Sequence, residues 1–507
     1  MKKSTKFLAV IASGVLLMGN VMAMASCGGT DDENTIKNTE IVTGDVNSVA
    51  YDGSKVTVTF YHTMGDALET ILVKNIERFN KMYPDITIKQ ASKGDYPGLR
   101  DQITTEMQGS NTAPSIAYCY PDHVALYNKS KATLPMDDFI NHPEVGLTEE
   151  QINDFVPAYY DEGKVYGDGK MYTLPMLKST EVLYYNKTYF ETNAAMFAAK
   201  GLDVETKNTP ESVFDCMTWD QMEIICETIA ASEKELGNKC IPLGYDSEAN
   251  WFITMCEQYG SDYTDATMNN DQNSHFLFNN ETNRNFVKRF REWYKKGYVT
   301  TEELNGGTYT SNLFKETDAK KTHTYMSIGS SAGATYQCPS KNKDGVTYPF
   351  EVGVTMIPQA DAANPKMISQ GPSLCMFKKN NEQEMAAAWL FVKFLSTDVR
   401  LQASLSSNNG YSSAVQSVVN DPTYAGFLEC ADGNAFLQAT VIKQTIAMRD
   451  FYYVSPAFHG SSTARDDVGT LIQTCFSKDP SAGQTVDQFI EKSFEDVVKK
   501  LAKRYDK

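Results

Sequence analysis

Val56-Thr57-Val58-Thr59-Phe60 alternates apolar with hydroxylated side chains, the period-two pattern of a half-buried strand. The loop Tyr61-His62-Thr63-Met64-Gly65-Asp66 follows, with Asp66 placed to cap a helix. Leu68, Ile71, Leu72, Ile76 and Phe79 then recur at helical spacing on one face. Pro84 stops that helix, and Ile86 and Ile88 open a second alternating run. Strand, covering helix and strand make a βαβ unit, whose hand implies a parallel sheet.

The alternation continues outward from this unit. A second helix carries Leu99, Ile103 and Met107 on one stripe, and a strand follows at Ser115–Tyr120. Further strands are predicted at Thr173–Pro175, Val182–Tyr185, Tyr325–Ile328, Glu351–Ile357 and Leu374–Phe377. Helices are predicted at Trp219–Ser232, Asn283–Lys296, Glu382–Leu395 and Val486–Lys503. Alternating elements over this length predict an α/β protein with more than one sheet, whose ligands bind beyond the carboxyl ends of the strands.

The N-terminus reads as an export leader. Lys2, Lys3 and Lys6 precede an apolar stretch from Phe7 to Ala25, and Met24-Ala25-Ser26-Cys27 reads as a lipoprotein processing site. Residues 1–26 are then the signal, Cys27 the lipidated residue, and 27–50, polar and poor in aromatics, a flexible tether. The expected location is extracytoplasmic, anchored by lipid to the cell membrane. No later apolar run reaches the ~18 residues that span a bilayer. A net charge of −17 over 507 residues argues against nucleic acid and anionic membrane as partners. Nine cysteines besides Cys27 show neither C-x-x-C nor zinc spacing, so neither a metal nor a cofactor is expected; Cys119, Cys375 and Cys475 sit in apolar runs as small hydrophobes.

Several loops suit ligand work. The His62 loop opens onto a helix N-terminus, where backbone N–H groups favour a polar or anionic group. Trp219 and Trp251 can stack on the C–H face of a sugar or polyol. Ser330 and Ser331 lie between Gly329 and Gly333 after a strand, and Gly371 precedes another. Gly329-Ser330-Ser331-Ala332-Gly333 is also a formal G-x-S-x-G, which as a hydrolase would need Asp432 or Asp450 and then His459. Arg465, in a polar loop entering a C-terminal helix, suits forked contact with phosphate or carboxylate.

Together these pieces resemble the extracellular solute-binding proteins of ABC importers, in the group that takes sugars and glycerol phosphate. The marks are Phe60-Tyr61-His62-Thr63-Met64, Arg78-Phe79-Asn80 with Tyr83-Pro84-Asp85, Ala113-Pro114, Ser179-Thr180-Glu181-Val182-Leu183-Tyr184-Tyr185-Asn186-Lys187, Thr218-Trp219 and Asn409-Gly410-Tyr411. The resemblance implies a two-lobed α/β fold of the periplasmic-binding-protein type II, with hinge-linked lobes and a ligand cleft. Crossings are expected near Pro175–Ser179, Ile328–Ser331 and Ile368–Ser373. One lobe would combine 50–178 with 330–370, and the other 179–329 with 371–507. It also implies ligand contacts at Tyr96, Ser179, one of Ser330 and Ser331, Gly371, Tyr411 and Arg465, with Trp219 and Trp251 near the site. Tyr120-Pro121-Asp122 stands where the family has a Glu for the polyol hydroxyls, so Asp122 is its expected stand-in. The implied protein is a monomer, not an enzyme; its partners are a small polyol phosphate or sugar and an ABC permease.

Overall fold

The computed structural model describes residues 36–205, 212–431 and 433–506; the signal residues 1–26, Cys27 and Asp432 lie outside the described residues. Asn38–Lys507 forms one compact unit. In its first part come β1 (Val56–His62), α1 (Asp66–Met82), β2 (Ile86–Ser92), α2 (Tyr96–Gly109), β3 (Ile116–Cys119), α3 (Pro121–Tyr127) and β4 (Thr173–Pro175). Then follow β5 (Glu181–Asn186), α4 (Trp219–Glu235), β6 (Leu243–Tyr245), α5 (Glu248–Gln258), α6 (Glu281–Lys296), β7 (Val299–Thr301), β8 (Met326–Ser330) and β9 (Val352–Met356). The last part holds β10 (Ser373–Met376), α7 (Glu382–Thr397), α8 (Val399–Ser406), α9 (Gly433–Ala447), α10 (Ser461–Ser477) and α11 (Val486–Tyr505).

The strands form two five-stranded sheets, ordered β2-β1-β3-β10-β4 and β7-β6-β8-β5-β9. In the first, β1 runs parallel to β2 and β3, as the βαβ unit requires, but β10 is antiparallel to β3 and β4. In the second, β8 and β7 run parallel to β6, and β5 is antiparallel to β8 and β9. The sheets are thus mixed rather than purely parallel. A strand that enters from the other sheet is not bound by the crossover rule, and β5 and β10 enter in that way.

The first sheet is covered by α1, through Leu72, Ile76 and Phe79, and by α7, which is buried almost all round from Met385 to Leu395. Phe391 of α7 meets both Phe60 and Phe79 edge-on. The second sheet shares a core with α4, α5, α6, α10 and α11, built around Trp219, Trp251 and Trp293. Helix α4 begins at a capping box in which Thr218 and Gln221 satisfy each other's backbone N–H groups. At α1 the cap is Gly65 instead, and Asp66 is the first helical residue, where its charge still suits the helix dipole.

Two expectations of chain division are corrected. The segment expected as tether to residue 50 is packed from Asn38 on: Thr39–Glu40 pairs with Thr112–Ala113, Ile41 is buried, and Lys379 donates to the Thr39 carbonyl. A polar segment can order when a sheet edge takes up its backbone groups. The chain does not change sheets near Ile328–Ser331; β9 stays in the second sheet, so 330–370 does not belong with the first. The change comes at 368–373, and β10, α7 and α8 after it join the first sheet rather than the second. Between the sheets, Leu177–Lys178 pairs with Ser412–Ser413, Ser179 bridges Gln370, and Met367–Ile368 pairs with Tyr452–Tyr453. A buried ion pair pins these crossings: Lys178 Nζ lies 2.5 Å from Glu162 Oε1, with the Gly371 carbonyl and Ser373 hydroxyl also accepting from it.

Candidate ligand-binding site

The carboxyl ends of both sheets face one cleft. From the first sheet, β3 runs out into Tyr120-Pro121-Asp122, where Pro121 starts α3. From the second, β6 ends before Asp246 and β8 ends at Ser330, while Glu181 opens the antiparallel β5 on the same side. A cavity of about 640 Å³ lies between them, lined by Tyr120, Glu181, Asp246, Ser330, Gln337 and Arg465 among others. A smaller cavity of about 120 Å³ adjoins it and adds Asp122, Tyr263 and Ser461. Tyr120, Gln370 and Arg465 line both, so the two are one cleft with Arg465 at the junction.

Arg465 sits in the second turn of α10, and a chain of hydrogen bonds holds it. Its guanidinium donates to Asn250 Oδ1; Asn250 Nδ2 donates to Glu181 Oε1 at 2.9 Å; the Tyr245 hydroxyl donates to Glu181 Oε2 at 2.6 Å. Burial pushes the Glu181 carboxyl up to about 7, against the opposing pull of those two bonds. Asp246 is also raised by burial, and its Oδ1 accepts from the Thr310 backbone at 2.6 Å. The wall from the second sheet is therefore rich in acceptors, with Arg465 held in place among them. Gly329 forms part of its floor; a side chain there would run against Gln337 Nε2 and Asp246 Oδ2.

On the opposite wall Tyr96 and Tyr120 lie with ring centroids 4.5 Å apart, and Tyr411 shares a hydrogen bond with Tyr96. Burial raises all three phenols, so they are neutral hydroxyl donors near neutral pH. Arg100 on α2 reaches across to α10, donating to the Ser462 hydroxyl at 2.8 Å and lying 3.7 Å from Asp466.

Of the sequence-predicted residues, Asp122, Ser330 and Arg465 line the cleft, and Tyr96 and Tyr411 back it through Tyr120. Ser179, Ser331 and Gly371 instead build the crossings. Ser179 exchanges backbone bonds with Gln370, while the Ser331 N–H donates to the Thr180 carbonyl at 2.8 Å and the Ser331 hydroxyl accepts from the Thr180 N–H at 3.2 Å. Gly371 has φ +94°, and a Cβ there would meet the Leu177 carbonyl at 2.5 Å. The hydrolase pattern fails on the same geometry: the Ser331 hydroxyl is committed to the backbone, while His459 lines a different cavity between α2 and α10. Trp219 and Trp251 are core residues, 1% exposed; Trp219 donates to Gln258, and Trp251 stacks on Tyr245. His62, the last residue of β1, is buried and held by Gln90 and the Met64 backbone.

The residues that the sequence did not single out are Glu181, Asp246, Asn250, Gln337 and Gln370. Glu181 opens the strand predicted to begin at Val182, and Asn250 immediately precedes Trp251. On a helix, neighbouring residues point about 100° apart. The turn that brings Asn250 to the cleft therefore drives Trp251 into the core.

A family model described as bacterial extracellular solute-binding protein matches residues 74–429. The sn-glycerol-3-phosphate-binding periplasmic protein UgpB of Escherichia coli is 27% identical over 356 residues, covering 67% of this chain and 70% of that one. UgpB from Mycobacterium tuberculosis, solved with glycerophosphocholine, superposes with a TM-score of 0.62 at 15% identity, covering 88% of this chain and 97% of that one. The sugar-binding protein MalE from Xanthomonas citri gives 0.65 at 15% identity, covering 89% and 98%. Family and relatives are binding proteins, not enzymes.

Proposed function

This chain belongs to the bacterial extracellular solute-binding protein family, and from that premise we propose that it captures a glycerol phosphate, a glycerophosphodiester or a related carbohydrate for an ABC importer. The observation that carries this is Arg465, a fixed cation at the junction of a cleft whose two walls come from different sheets. Names of relatives add support, one for glycerol 3-phosphate and one solved with glycerophosphocholine.

The mechanism is closure on an unaltered solute. One lobe comprises 38–178 and 371–413, the other 179–205, 212–370 and 433–506. The hinge runs through 176–180, 368–373 and the chain after Ser413. A solute that touches both walls stabilises the closed form by its differential affinity for that form, and the permease reads the closed form. Arg465 meets the phosphate, Tyr120 and Asp122 meet hydroxyls from the first wall, and Ser330 and Asp246 from the second. The protein acts as a monomer tethered by lipid on Cys27, which incorporation of labelled palmitate into wild type but not Cys27→Ala would test.

A thermal-shift panel of glycerol phosphate, glycerophosphodiesters and oligosaccharides tests the reading. Arg465→Ala should weaken a phosphate ligand by about 2 kcal/mol or more. A neutral oligosaccharide is the second reading, favoured by the two carboxyls on the second wall; its binding would barely respond to that change.

A further inference from the structure

Beyond Arg100 lies a second cavity, of about 570 Å³, that shares no lining residue with the cleft. One wall is α2 with α3 and the turn Asn128–Ser130; the other is the start of α10 with the end of α11. Lys129 stands on the first wall, and Arg504 and His459 on the second. Burial first, and then the charges of Lys129 and Arg504, hold the His459 imidazole below its ordinary range, so the three basic groups lie within electrostatic reach of one another. The carboxylates that line the cavity are committed to Arg100 instead. Asp101 Oδ1 lies 2.8 Å from its Nε, and Asp466 Oδ2 lies 3.7 Å from one of its terminal nitrogens. Among the described residues neither Lys129 nor Arg504 pairs with a carboxylate.

Both cations are carried on fastened backbone. The Ser130 hydroxyl donates to the Tyr127 carbonyl at 2.7 Å and closes the turn that holds Lys129. Arg504 lies over the Tyr505 ring at 5.0 Å, and the Tyr505 and Thr463 hydroxyls share a bond of 2.8 Å that ties α11 to α10. Like charges gathered round one void repel, and an anion placed between them turns that repulsion into attraction. A single exposed charge gains little once salt screens it, whereas two charges on one molecule can meet both walls at once. We propose that this cavity is a second binding site, for a small anion of the diphosphate kind, bridged between Lys129 and Arg504. It does not depend on which solute the cleft takes.

Titration calorimetry with inorganic pyrophosphate at constant ionic strength tests this, in an Arg465→Ala background that removes the cation of the cleft. Pyrophosphate should still bind there. Adding Lys129→Gln or Arg504→Gln should each weaken it by about fivefold, and adding both should abolish it. Both positions are exposed, so melting temperatures without the anion should not fall. Acetate, with one charge, should give no saturable heat. Absence of pyrophosphate binding in the Arg465→Ala background overturns the proposal, as does binding indifferent to both glutamine changes. A response to only one of the two overturns the bridge between the walls.

Discussion

Replacing Lys178 by Met should unfold this protein far more readily than replacing it together with Glu162. Lys178 is fully buried and Glu162 is 2% exposed, so neither charge has water to fall back on. Glu162 also accepts from the hydroxyls of Ser369 at 3.0 Å and Ser373 at 3.3 Å. Removing the ammonium leaves a buried carboxylate with two neutral donors, and breaking such a pair from one side costs about 3–5 kcal/mol. Removing both ions with apolar groups of similar size is near neutral in comparable cases. Here two hydroxyls would lose an acceptor at about 1 kcal/mol each, which sets the double variant Glu162→Leu/Lys178→Met at a loss of about 2 kcal/mol. Urea denaturation of wild type, both single variants and the double variant closes the cycle. The expected coupling is at least 2 kcal/mol in favour of the pair. A single variant that loses under 1 kcal/mol, or a double variant as weak as the sum of the singles, would refute the reasoning.

Stability should also depend on Glu181. Its folded pKa of about 7 exceeds the usual 4.5, so the folded state holds the extra proton between those values; its contribution is complete below pH 4.5 and is lost as pH rises through 7. The change is about 3 kcal/mol, and Glu181→Gln should flatten that part of a stability–pH profile. Arg100→Ala, which removes the reach from α2 to Ser462, should weaken all solutes by a similar factor of about three to ten and speed their release, measured by stopped flow. Gly410→Ala should cost about 2 kcal/mol or more, because a Cβ there would meet the Ser331 carbonyl at 1.7 Å, whereas Gly44→Ala has open space and should be neutral by melting temperature.

Local pattern carried the elements. The βαβ unit from Val56, the helix from Trp219 and the long helices α6, α7 and α11 form where periodicity puts them. It did not carry the pairing of β9 and β10. Both are short apolar strands, and nothing local to Val352 or Ser373 names the sheet that receives it. Site reading met the same limit. Arg465, expected in a polar loop, lies in the second turn of α10 and lines the cleft, whereas Trp251 lies in the core because aromatic rings serve cores and sugars alike.

Helix α10 places Arg465 in the lining of the cleft and, within the same turn, turns Ser462 and Asp466 to α2. Anchor and clasp ride on one rod, so neither can be retuned alone. Anyone converting this protein into a fluorescent sensor by exchanging its solute should expect the brightness step and the recovery time to shift together, and should set the reporter dye on α2 rather than on the rod.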